Sequence, residues 1–181
     1  MQKINWHPEI TGVKNFLTRQ ECHFFIEESE RRGFKEAKIN RNGKQVMMKN
    51  VRNNDRVLFF DENLANQIWT KIQPFTNPIG IYKPIGLNEM FRIYKYTKGQ
   101  RFNMHSDGHY RRNDEEISFY SFLIYLNQDF DGGETYFENG IYIKPYTGDA
   151  LLFHHPLRHE GQEVTKGEKY VLRTDIMYRR I

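Results

Sequence analysis

The fold class is decided by a long run in the second half of the chain, residues 117–127, which reads Ile117-Ser118-Phe119-Tyr120-Ser121-Phe122-Leu123-Ile124-Tyr125-Leu126-Asn127. The run is rich in aromatic and β-branched residues and contains neither glycine nor proline, so it predicts a strand. Side chains of a strand alternate between its faces, which here carry Phe122, Ile124 and Leu126, and Ser121, Leu123 and Tyr125. One face is wholly apolar and the other carries hydroxyl groups, so the strand is predicted to separate an apolar core from a polar pocket.

The last predicted strand shows the same division more sharply. The period of two divides its side chains into two sets: Tyr170, Leu172 and Ile176, and Lys169, Arg173 and Asp175. Charged groups at sheet depth are costly unless they meet a ligand or an opposite charge. We therefore predict a sheet sandwich or barrel whose interior is a polar pocket.

Both strands belong to a series of short aromatic and β-branched runs that begins near Glu89, whereas the N-terminal third reads as helical. The runs are 90–97, 102–107, 117–127, 134–138, 141–144, 149–154 and 169–178. Thr18-Arg19-Gln20-Glu21 is a capping box that predicts a helix running to about Arg32, and a second helix starts near Asp61 and ends before Pro74. Helices followed by strands predict an α+β fold, with the N-terminal helices packed on one sheet.

Length and composition set the outer limits of the prediction. With 181 residues, of which 38% are hydrophobic and 15% aromatic, the chain is predicted to form a single domain over 1–181. The single cysteine, Cys22, excludes an intramolecular disulfide framework and a cysteine-based zinc finger, and it favours a cytoplasmic location. No signal peptide or membrane-spanning run is recognisable, so no membrane partner is expected. The net charge of +4 permits an anionic partner without requiring one.

Metal-ligating residue types occur at strand spacing in the second half of the chain. His105 and Asp107 are two residues apart, so on a strand they project to the same side and could share one cation. A third ligand is required, and His154, His155 and His159 follow downstream. Two histidines and one carboxylate with open coordination positions form the facial triad of non-haem Fe(II) oxygenases.

Five motifs follow one another along residues 88–178. The first contains the predicted metal pair and consists of Tyr96, Gly99, Phe102, His105 and Asp107. The second and third, a strand end and a turn, are Tyr125-Leu126-Asn127 and Gly132-Gly133-Glu134-Thr135. The last two are Lys144-Pro145-Tyr146-Thr147-Gly148-Asp149-Ala150-Leu151, and His159 and Gly161 followed by Val164-Thr165-Lys166-Gly167-Glu168-Lys169. In this order and spacing, the chain resembles the Fe(II)- and 2-oxoglutarate-dependent dioxygenases, specifically their prolyl 4-hydroxylase-like branch.

The resemblance implies a double-stranded β-helix, or jelly-roll, barrel as the core of the fold. Residues 89–181 would form this dioxygenase core, and 1–88 would supply helical support and substrate-side elements. The resemblance also implies His159 as the third ligand, because Gly161 and Lys169 follow it at the family spacing, whereas His154 and His155 end the preceding strand. Fe(II) would then bind 2-oxoglutarate and O2, with ascorbate as a supporting reductant, and hydroxylation would release succinate and CO2.

The same resemblance implies roles for residues around the cosubstrate. Lys169 resembles the basic residue that pairs with the distal carboxylate of 2-oxoglutarate, and Arg173, on the same face, is its rival or helper. Tyr96 resembles the tyrosine that hydrogen-bonds the cosubstrate. Tyr125 and Ser121 are expected to line the pocket beside it.

The substrate is predicted only by class. Two polar regions outside the barrel, 50–56 and 109–116, are expected to select it, with Arg52, Arg56, Arg111 and Arg112 as candidate contacts. A peptidyl, prolyl-like substrate or a small polar or amino-acid molecule is expected. An oxidative nucleobase demethylase on the same fold, a Zn(II)-dependent hydrolase using the same triad and a non-catalytic binding protein remain alternatives. The sequence does not indicate an oligomeric state.

Overall fold

The computed structural model describes residues 1–37, 39–41, 44–46, 48 and 51–181, and this described part of the chain is mostly β-sheet. The helices are α1 (Arg19–Arg32) and α2 (Glu62–Ile72), followed by a 3₁₀ turn at Gln73–Phe75. The strands are β1 (Gln2–His7), β2 (Ile10–Lys14), β3 (Lys35–Glu36), β4 (Ile39–Arg41), β5 (Lys44–Val46), β6 (Asp55–Phe60), β7 (Tyr82–Leu87), β8 (Met90–Tyr96), β9 (Phe102–His105), β10 (Glu116–Tyr125), β11 (Phe130–Gly132), β12 (Thr135–Phe137), β13 (Tyr142–Ile143), β14 (Ala150–His154), β15 (His159–Gly161), β16 (Val164–Gly167) and β17 (Lys169–Arg180).

Two antiparallel sheets build the core. The larger sheet has the order β1-β2-β14-β10-β17-β8-β6-β3, with β7 also paired to β17. The smaller sheet has the order β13-β12-β15-β9, so that, apart from the pairs β1-β2 and β12-β13, neighbouring strands in both sheets are not consecutive in the chain. This arrangement confirms the predicted α+β fold with a double-stranded β-helix core.

The outer face of the larger sheet and the two helices share one apolar core. Helix α1 contributes Cys22 and Phe25, α2 contributes Ala65, Ile68 and Ile72, and the sheet contributes, among others, Phe91, Ile93, Phe122, Ile124, Leu172 and Ile176. Complete burial of an apolar side chain of this size contributes about 1.5–3 kcal/mol. The apolar faces predicted for β10 and β17 are therefore the faces that the helices cover. None of the helices formed by the described residues has the length and apolar character needed to cross a bilayer.

The local signals at the start of α1 act as the sequence predicts. The amide of Glu21 donates to Oγ1 of Thr18 over 3.1 Å, and the amide of Thr18 donates to a carboxylate oxygen of Glu21 over 2.7 Å. These two bonds form the capping box. The helix ends at Gly33, whose φ of 79° lies in the region that favours glycine.

The prediction that the N-terminal third is helical is wrong in part, because β1 and β2 precede α1. β2 pairs with β14 in the larger sheet, so that Val13 lies opposite Ala150. Gly12 of β2 lies beneath the indole of Trp6 on β1, and a Cβ at this position would come within 2.2 Å of a ring carbon. The hairpin thus extends the sheet through contacts with a distant strand rather than through a strong local pattern.

Candidate active site

Three predicted metal ligands converge between the two sheets. His105 ends β9 and His159 begins β15, and the two are direct cross-strand partners. Asp107 follows β9, and its backbone amide donates to the carbonyl of His155 over 3.0 Å. Nε2 of His105 and Nε2 of His159 each lie 3.7 Å from a carboxylate oxygen of Asp107. The candidate ligand atoms of the three residues all lie within 4.8 Å of one another.

The hydrogen bonds of the two histidines fix the tautomer of each ring. Nδ1 of His105 lies 2.7 Å from the carbonyl oxygen of Asn103, and Nδ1 of His159 lies 2.9 Å from that of Leu157. A carbonyl can only accept, so each Nδ1 carries the proton and each Nε2 presents a lone pair. Burial lowers the pKa of His105 to about 3 and also lowers that of His159, which keeps both rings neutral.

The donor set fits a divalent cation. Two imidazole lone pairs and a carboxylate face one another across distances too long for hydrogen bonds, and none of the three groups offers a proton to the others. A bound cation would satisfy all three at once. Two neutral histidines and one carboxylate that leave coordination positions open are the ligands typical of non-haem Fe(II).

Arg173 and Ser121 hold the carboxylate of Asp107. Nη2 of Arg173 lies 3.0 Å from Oδ1, and the hydroxyl of Ser121 donates to Oδ2. Burial by itself raises the pKa of Asp107, but the Arg173 guanidinium outweighs it and holds this pKa well below its usual range. Asp107 is therefore a permanent carboxylate with a fixed orientation.

A chain of hydrogen bonds extends from Asp107 through His155, which is completely buried. The Ser121 hydroxyl gives its proton to Asp107, so it must accept from Nδ1 of His155, 3.1 Å away. Nε2 of His155 then accepts from the hydroxyl of Ser118 over 2.9 Å, and Ser118 in turn accepts from the amide of Tyr110. Burial lowers the pKa of His155 to about 4, in agreement with a neutral ring that carries one proton.

Sequence reasoning considered His154 and His155 as ligands and missed the supporting role of His155. The structure places His155 behind Asp107, whereas the neighbouring His154, the last residue of β14, pairs through Nδ1 with Glu9 over 2.9 Å. Ser121, predicted to line the cosubstrate pocket, bonds to Asp107 and His155 instead. The period of two along the strand predicted that the side chain of Ser121 points inward, but it did not predict the hydrogen bonds to Asp107 and His155.

Lys169 is a buried cation on the wall of the cavity beside the triad. The residue is 3% exposed, and Nζ donates to the carbonyl of Gly133 over 2.6 Å. The rings of Tyr96 and Tyr125 lie 5.2 and 5.7 Å from Nζ. Burial lowers the pKa of Lys169 to about 8, against the opposing charge of Glu134. Among the described residues, no carboxylate forms an ion pair with this ammonium group.

The same cavity brings together four of the five residues predicted around the cosubstrate, namely Lys169, Tyr96, Tyr125 and Arg173. Its walls include Tyr94, Tyr96, Phe102, His105, Asp107, Leu123, Tyr125, Thr135, Phe153, His159, Gly161, Lys169, Val171 and Arg173. The hydroxyl of Tyr125 is paired with Oγ1 of Thr135 over 2.7 Å. Burial raises the pKa of Tyr96 to about 12, so its phenol stays protonated and can donate a hydrogen bond.

The four arginines predicted as substrate contacts occupy different environments. Arg52 is buried, with its guanidinium between the rings of Tyr94 and Phe102. Arg56 is partly exposed on β6, and Arg111 is exposed. The predicted region 50–56 begins at Asn50, which lies outside the described residues.

Arg112 is engaged by two carboxylates. Nη2 lies 2.7 Å from Glu89 and Nη1 lies 2.7 Å from Glu116. Nη2 also donates to the carbonyl of Leu87 over 3.2 Å. These contacts connect the end of β7 with the start of β10.

Comparison with known proteins matches the core to one family. Residues 91–174 match the model of the 2OG-Fe(II) oxygenase superfamily. A putative prolyl 4-hydroxylase of Acanthamoeba polyphaga mimivirus is 32% identical over 139 residues, which covers 61% of this chain and 57% of the relative. A probable prolyl 4-hydroxylase 10 of Arabidopsis thaliana is 25% identical over 175 residues, with 83% and 59% covered. The chain thus spans less than two thirds of the length of these two relatives.

Solved structures of similar fold include two prolyl hydroxylases. A viral collagen prolyl hydroxylase from Paramecium Bursaria Chlorella virus-1 has a TM-score of 0.65 at 20% identity, with 94% of this chain and 96% of that chain covered. A Trichoplax adhaerens prolyl hydroxylase, solved with a peptide fragment of the hypoxia inducible factor oxygen degradation domain, has a TM-score of 0.73 at 20% identity, with 93% and 83% covered. At these identities, the likeness shows the double-stranded β-helix fold.

Proposed function

We propose that the protein is a Fe(II)- and 2-oxoglutarate-dependent hydroxylase of the prolyl 4-hydroxylase-like branch, because residues 91–174 match the model of the 2OG-Fe(II) oxygenase superfamily and the similar proteins are prolyl 4-hydroxylases. It would convert 2-oxoglutarate and O2 to succinate and CO2 while it hydroxylates a second substrate. The observation that carries the proposal is the convergence of two neutral Nε2 lone pairs and the Asp107 carboxylate beside the buried ammonium of Lys169.

His105, Asp107 and His159 would hold the metal, and each is oriented by a separate partner. The carbonyls of Asn103 and Leu157 turn the two imidazoles, while Arg173 and Ser121 fix the carboxylate. Fe(II), when bound, supplies the oxidative chemistry that couples decarboxylation of 2-oxoglutarate to hydroxylation. The contribution of the chain is geometry, charge and exclusion of water.

Lys169 would anchor the distal carboxylate of 2-oxoglutarate. A buried ammonium without a carboxylate partner is costly, and an incoming carboxylate relieves that cost. Arg173 lies on the same face but is already paired with Asp107 and Asp175, at 3.0 and 3.4 Å. Tyr96 and Tyr125 would complete this end of the cavity, with Tyr96 as a hydrogen-bond donor.

The proposed substrate is a prolyl-containing peptide or a small polar or amino-acid molecule. The named relatives are prolyl hydroxylases, and one of the similar structures holds a peptide. Arg52, Arg56, Arg111 and Arg112 stay proposed contacts from the sequence, with Arg52 next to the cavity wall. We also propose a cytoplasmic location, on the basis of the single buried cysteine. We further propose that residues 1–181 form one domain.

Succinate formation tests the reaction class. The purified protein is incubated with Fe(II), ascorbate, O2 and 2-oxoglutarate, and succinate is measured by mass spectrometry with and without a panel of prolyl peptides and amino acids. We expect metal-dependent succinate and, with the right substrate, a mass gain of one oxygen. The control is His105→Ala. No succinate above that control would contradict the proposal, and hydrolysis of a substrate by the Zn(II) form would support a metal hydrolase instead.

A further inference from the structure

Two guanidinium groups, of the buried Arg52 and the partly buried Arg173, flank the phenol of Tyr94 on the cavity wall. The guanidinium of Arg52 lies over the ring of Tyr94, with Cζ 4.3 Å from the centroid, and its other face lies 4.4 Å from the ring of Phe102. Nη1 of Arg173 approaches the hydroxyl of Tyr94 at 3.5 Å. Phe102 stacks on the imidazole of His105 at 3.5 Å, so the cluster adjoins the triad.

Each of these guanidinium groups has an unused donor. Among the described residues, the buried side-chain nitrogen and oxygen atoms without a hydrogen-bond partner are Nη2 of Arg52 and Nε of Arg173. Buried polar groups in native proteins are almost always paired, so an unpaired donor indicates a missing water, ion or ligand. Both guanidinium groups that carry these atoms contact the same tyrosine, which is consistent with one ligand shared by the two.

The charges around Tyr94 do not balance. Arg173 pairs with Asp107 and Asp175, and Arg92 shares Asp175 at 3.5 Å. Arg52 is 4% exposed, and its Nε donates to the neutral amide oxygen of Asn54 over 2.6 Å. Arg173 and Arg92 thus share two carboxylates, one of which is also a candidate metal ligand, whereas no described carboxylate forms an ion pair with Arg52.

The acidity of Tyr94 agrees with an excess of positive charge at this point. Burial alone raises the pKa of this phenol, yet the charges of Arg173 and Arg52 bring it down to about 8. A fully buried tyrosine with a lowered pKa indicates a positive potential strong enough to favour an anion. The free N–H donors and the positive charge of Arg52 match a carboxylate, which has two acceptor oxygens and one negative charge.

We propose that Arg52, Tyr94 and Arg173 form a second anion site, separate from Lys169. This second site binds a carboxylate of the substrate that the enzyme hydroxylates. The inference rests on the proposed function, in which Lys169 takes one carboxylate of 2-oxoglutarate and the metal takes the other. The site formed by Arg52, Tyr94 and Arg173 is then available to the substrate. The protein would prefer acidic substrates, with either a free C-terminal carboxylate or an acidic side chain, over neutral ones.

Matched acid and amide probes test this site by binding rather than by turnover. The protein is loaded with Mn(II) and 2-oxoglutarate in the absence of O2, and dissociation constants are measured by calorimetry. One pair, N-acetylproline and N-acetylprolinamide, tests a terminal carboxylate. The other pair, the amidated acetyl-prolyl-aspartate and acetyl-prolyl-asparagine dipeptides, tests a side-chain carboxylate. We expect at least one acid to bind about tenfold or more tightly than its amide partner.

Variants assign the preference to the cluster. Arg52→Gln should reduce the ratio of acid to amide affinity to near one. Arg101→Gln removes the same charge from an exposed arginine, paired with Glu163 at 3.5 Å, and should keep the ratio. Tyr94→Phe preserves the ring beneath Arg52 and removes only the hydroxyl, so it should lower the ratio by about threefold. If Arg52→Gln does not fold, an unchanged ratio in Tyr94→Phe overturns the proposal.

Other outcomes separate this inference from the proposed function. Equal affinity for acid and amide in the wild type, failure of both acids to bind at millimolar concentration, or a preference that survives Arg52→Gln each overturns it. If Arg52→Gln weakens 2-oxoglutarate binding and leaves the acid preference intact, the cluster serves the cosubstrate and the proposal is also wrong. Absence of succinate in the wild type contradicts the reaction class alone, because the binding result does not depend on turnover.

Discussion

Arg173 and Asp107 form an ion pair on the cavity wall, with Nη2 of the arginine 3.0 Å from Oδ1 of the aspartate. Arg173 lies four residues after Lys169 on the same face of β17, which made the two residues rivals for the 2-oxoglutarate carboxylate in the sequence. The ion pair gives them different surroundings, since Arg173 faces a candidate metal ligand and Lys169 faces two phenol rings and a carbonyl. The two residues should therefore affect different ligands.

The first prediction separates these effects. Lys169→Ala should raise the KM for 2-oxoglutarate by well over about tenfold, because it leaves a buried carboxylate unpaired at a cost of about 2–5 kcal/mol. Arg173→Ala should raise that KM less and should weaken metal binding, because Asp107 loses its partner. Succinate assays at varied 2-oxoglutarate and Mn(II) titrations measure the two effects. A larger rise of this KM in Arg173→Ala than in Lys169→Ala would mean that Arg173, rather than Lys169, binds the carboxylate of 2-oxoglutarate.

The second prediction concerns the pH dependence of cosubstrate binding. Burial lowers the pKa of Lys169 to about 8, and a bound carboxylate favours the charged ammonium. Below pH 8 the ammonium is already present, whereas above it binding requires proton uptake. The dissociation constant of 2-oxoglutarate should therefore rise by up to about tenfold per pH unit above pH 8. Tyr96 does not interfere, because burial raises its pKa to about 12.

Lys169→Arg is the matched control for this pH dependence. Its guanidinium stays protonated over the whole range, so the dissociation constant should change little between about pH 7 and about pH 10. Calorimetry on the Mn(II)-loaded protein measures both forms. A wild-type dissociation constant that is flat across this range would show that Lys169 does not contact the carboxylate.

The third prediction distinguishes the metal ligands by their effect on stability. His105→Ala, Asp107→Ala and His159→Ala should each abolish tight Fe(II) or Mn(II) binding, while His154→Ala, at the ion pair with Glu9, should not. Asp107→Ala should also lower the free energy of unfolding, by about 1–3 kcal/mol, because Arg173 loses its nearer carboxylate and keeps only Asp175, at 3.4 Å. Metal titration and denaturant unfolding give the two values. Tight binding by His159→Ala would remove this histidine from the triad.

Local patterns were sufficient for the elements that bury a regular face. The capping box at Thr18 and the apolar spacing of α2 predicted both helices, and the period of two placed Ser121 and Arg173 on the inner side of their strands. The hairpin of β1 and β2 escaped prediction because Gln2–His7 has little alternation of its own and becomes a strand by pairing with β2, itself paired to β14. Such long-range partners leave no local signal.

Local sequence patterns were equally limited in predicting the residues of the site. The triad could be predicted because spacing and family motifs both identify His105, Asp107 and His159. The support of Asp107 could not, because Ser121 and His155 are 34 residues apart in sequence and meet only through the register of β10 and β14. A second histidine next to a predicted ligand resembled a rival ligand until its hydrogen bonds were known.

The fourth prediction separates two neighbouring arginines proposed as substrate contacts. Arg112 connects Glu89 and Glu116, so Arg112→Ala should lower the free energy of unfolding by about 1–3 kcal/mol and reduce coupled and uncoupled turnover together. Arg111 is exposed, and Arg111→Ala should change stability by less than about 0.5 kcal/mol while it lowers substrate-coupled hydroxylation. Urea unfolding and the ratio of hydroxylated product to succinate measure these effects. Identical behaviour of the two variants would contradict the distinction.

The last prediction uses two buried serines as a matched pair. Ser118 and Ser121 are both completely buried and both hydrogen-bond to the ring of His155, but only Ser121 reaches Asp107. Loss of a group that orients a metal ligand typically costs tenfold to hundredfold in metal affinity, so Ser121→Ala should weaken Mn(II) binding by about tenfold or more. Ser118→Ala removes a hydroxyl of the same size and should lower the free energy of unfolding by a similar amount, about 1–3 kcal/mol, with little change in metal affinity. Equal losses of metal affinity in the two variants would mean that the hydrogen-bond chain acts as a unit through His155. Unchanged metal affinity in both variants would mean that Arg173 alone is sufficient to orient the carboxylate of Asp107.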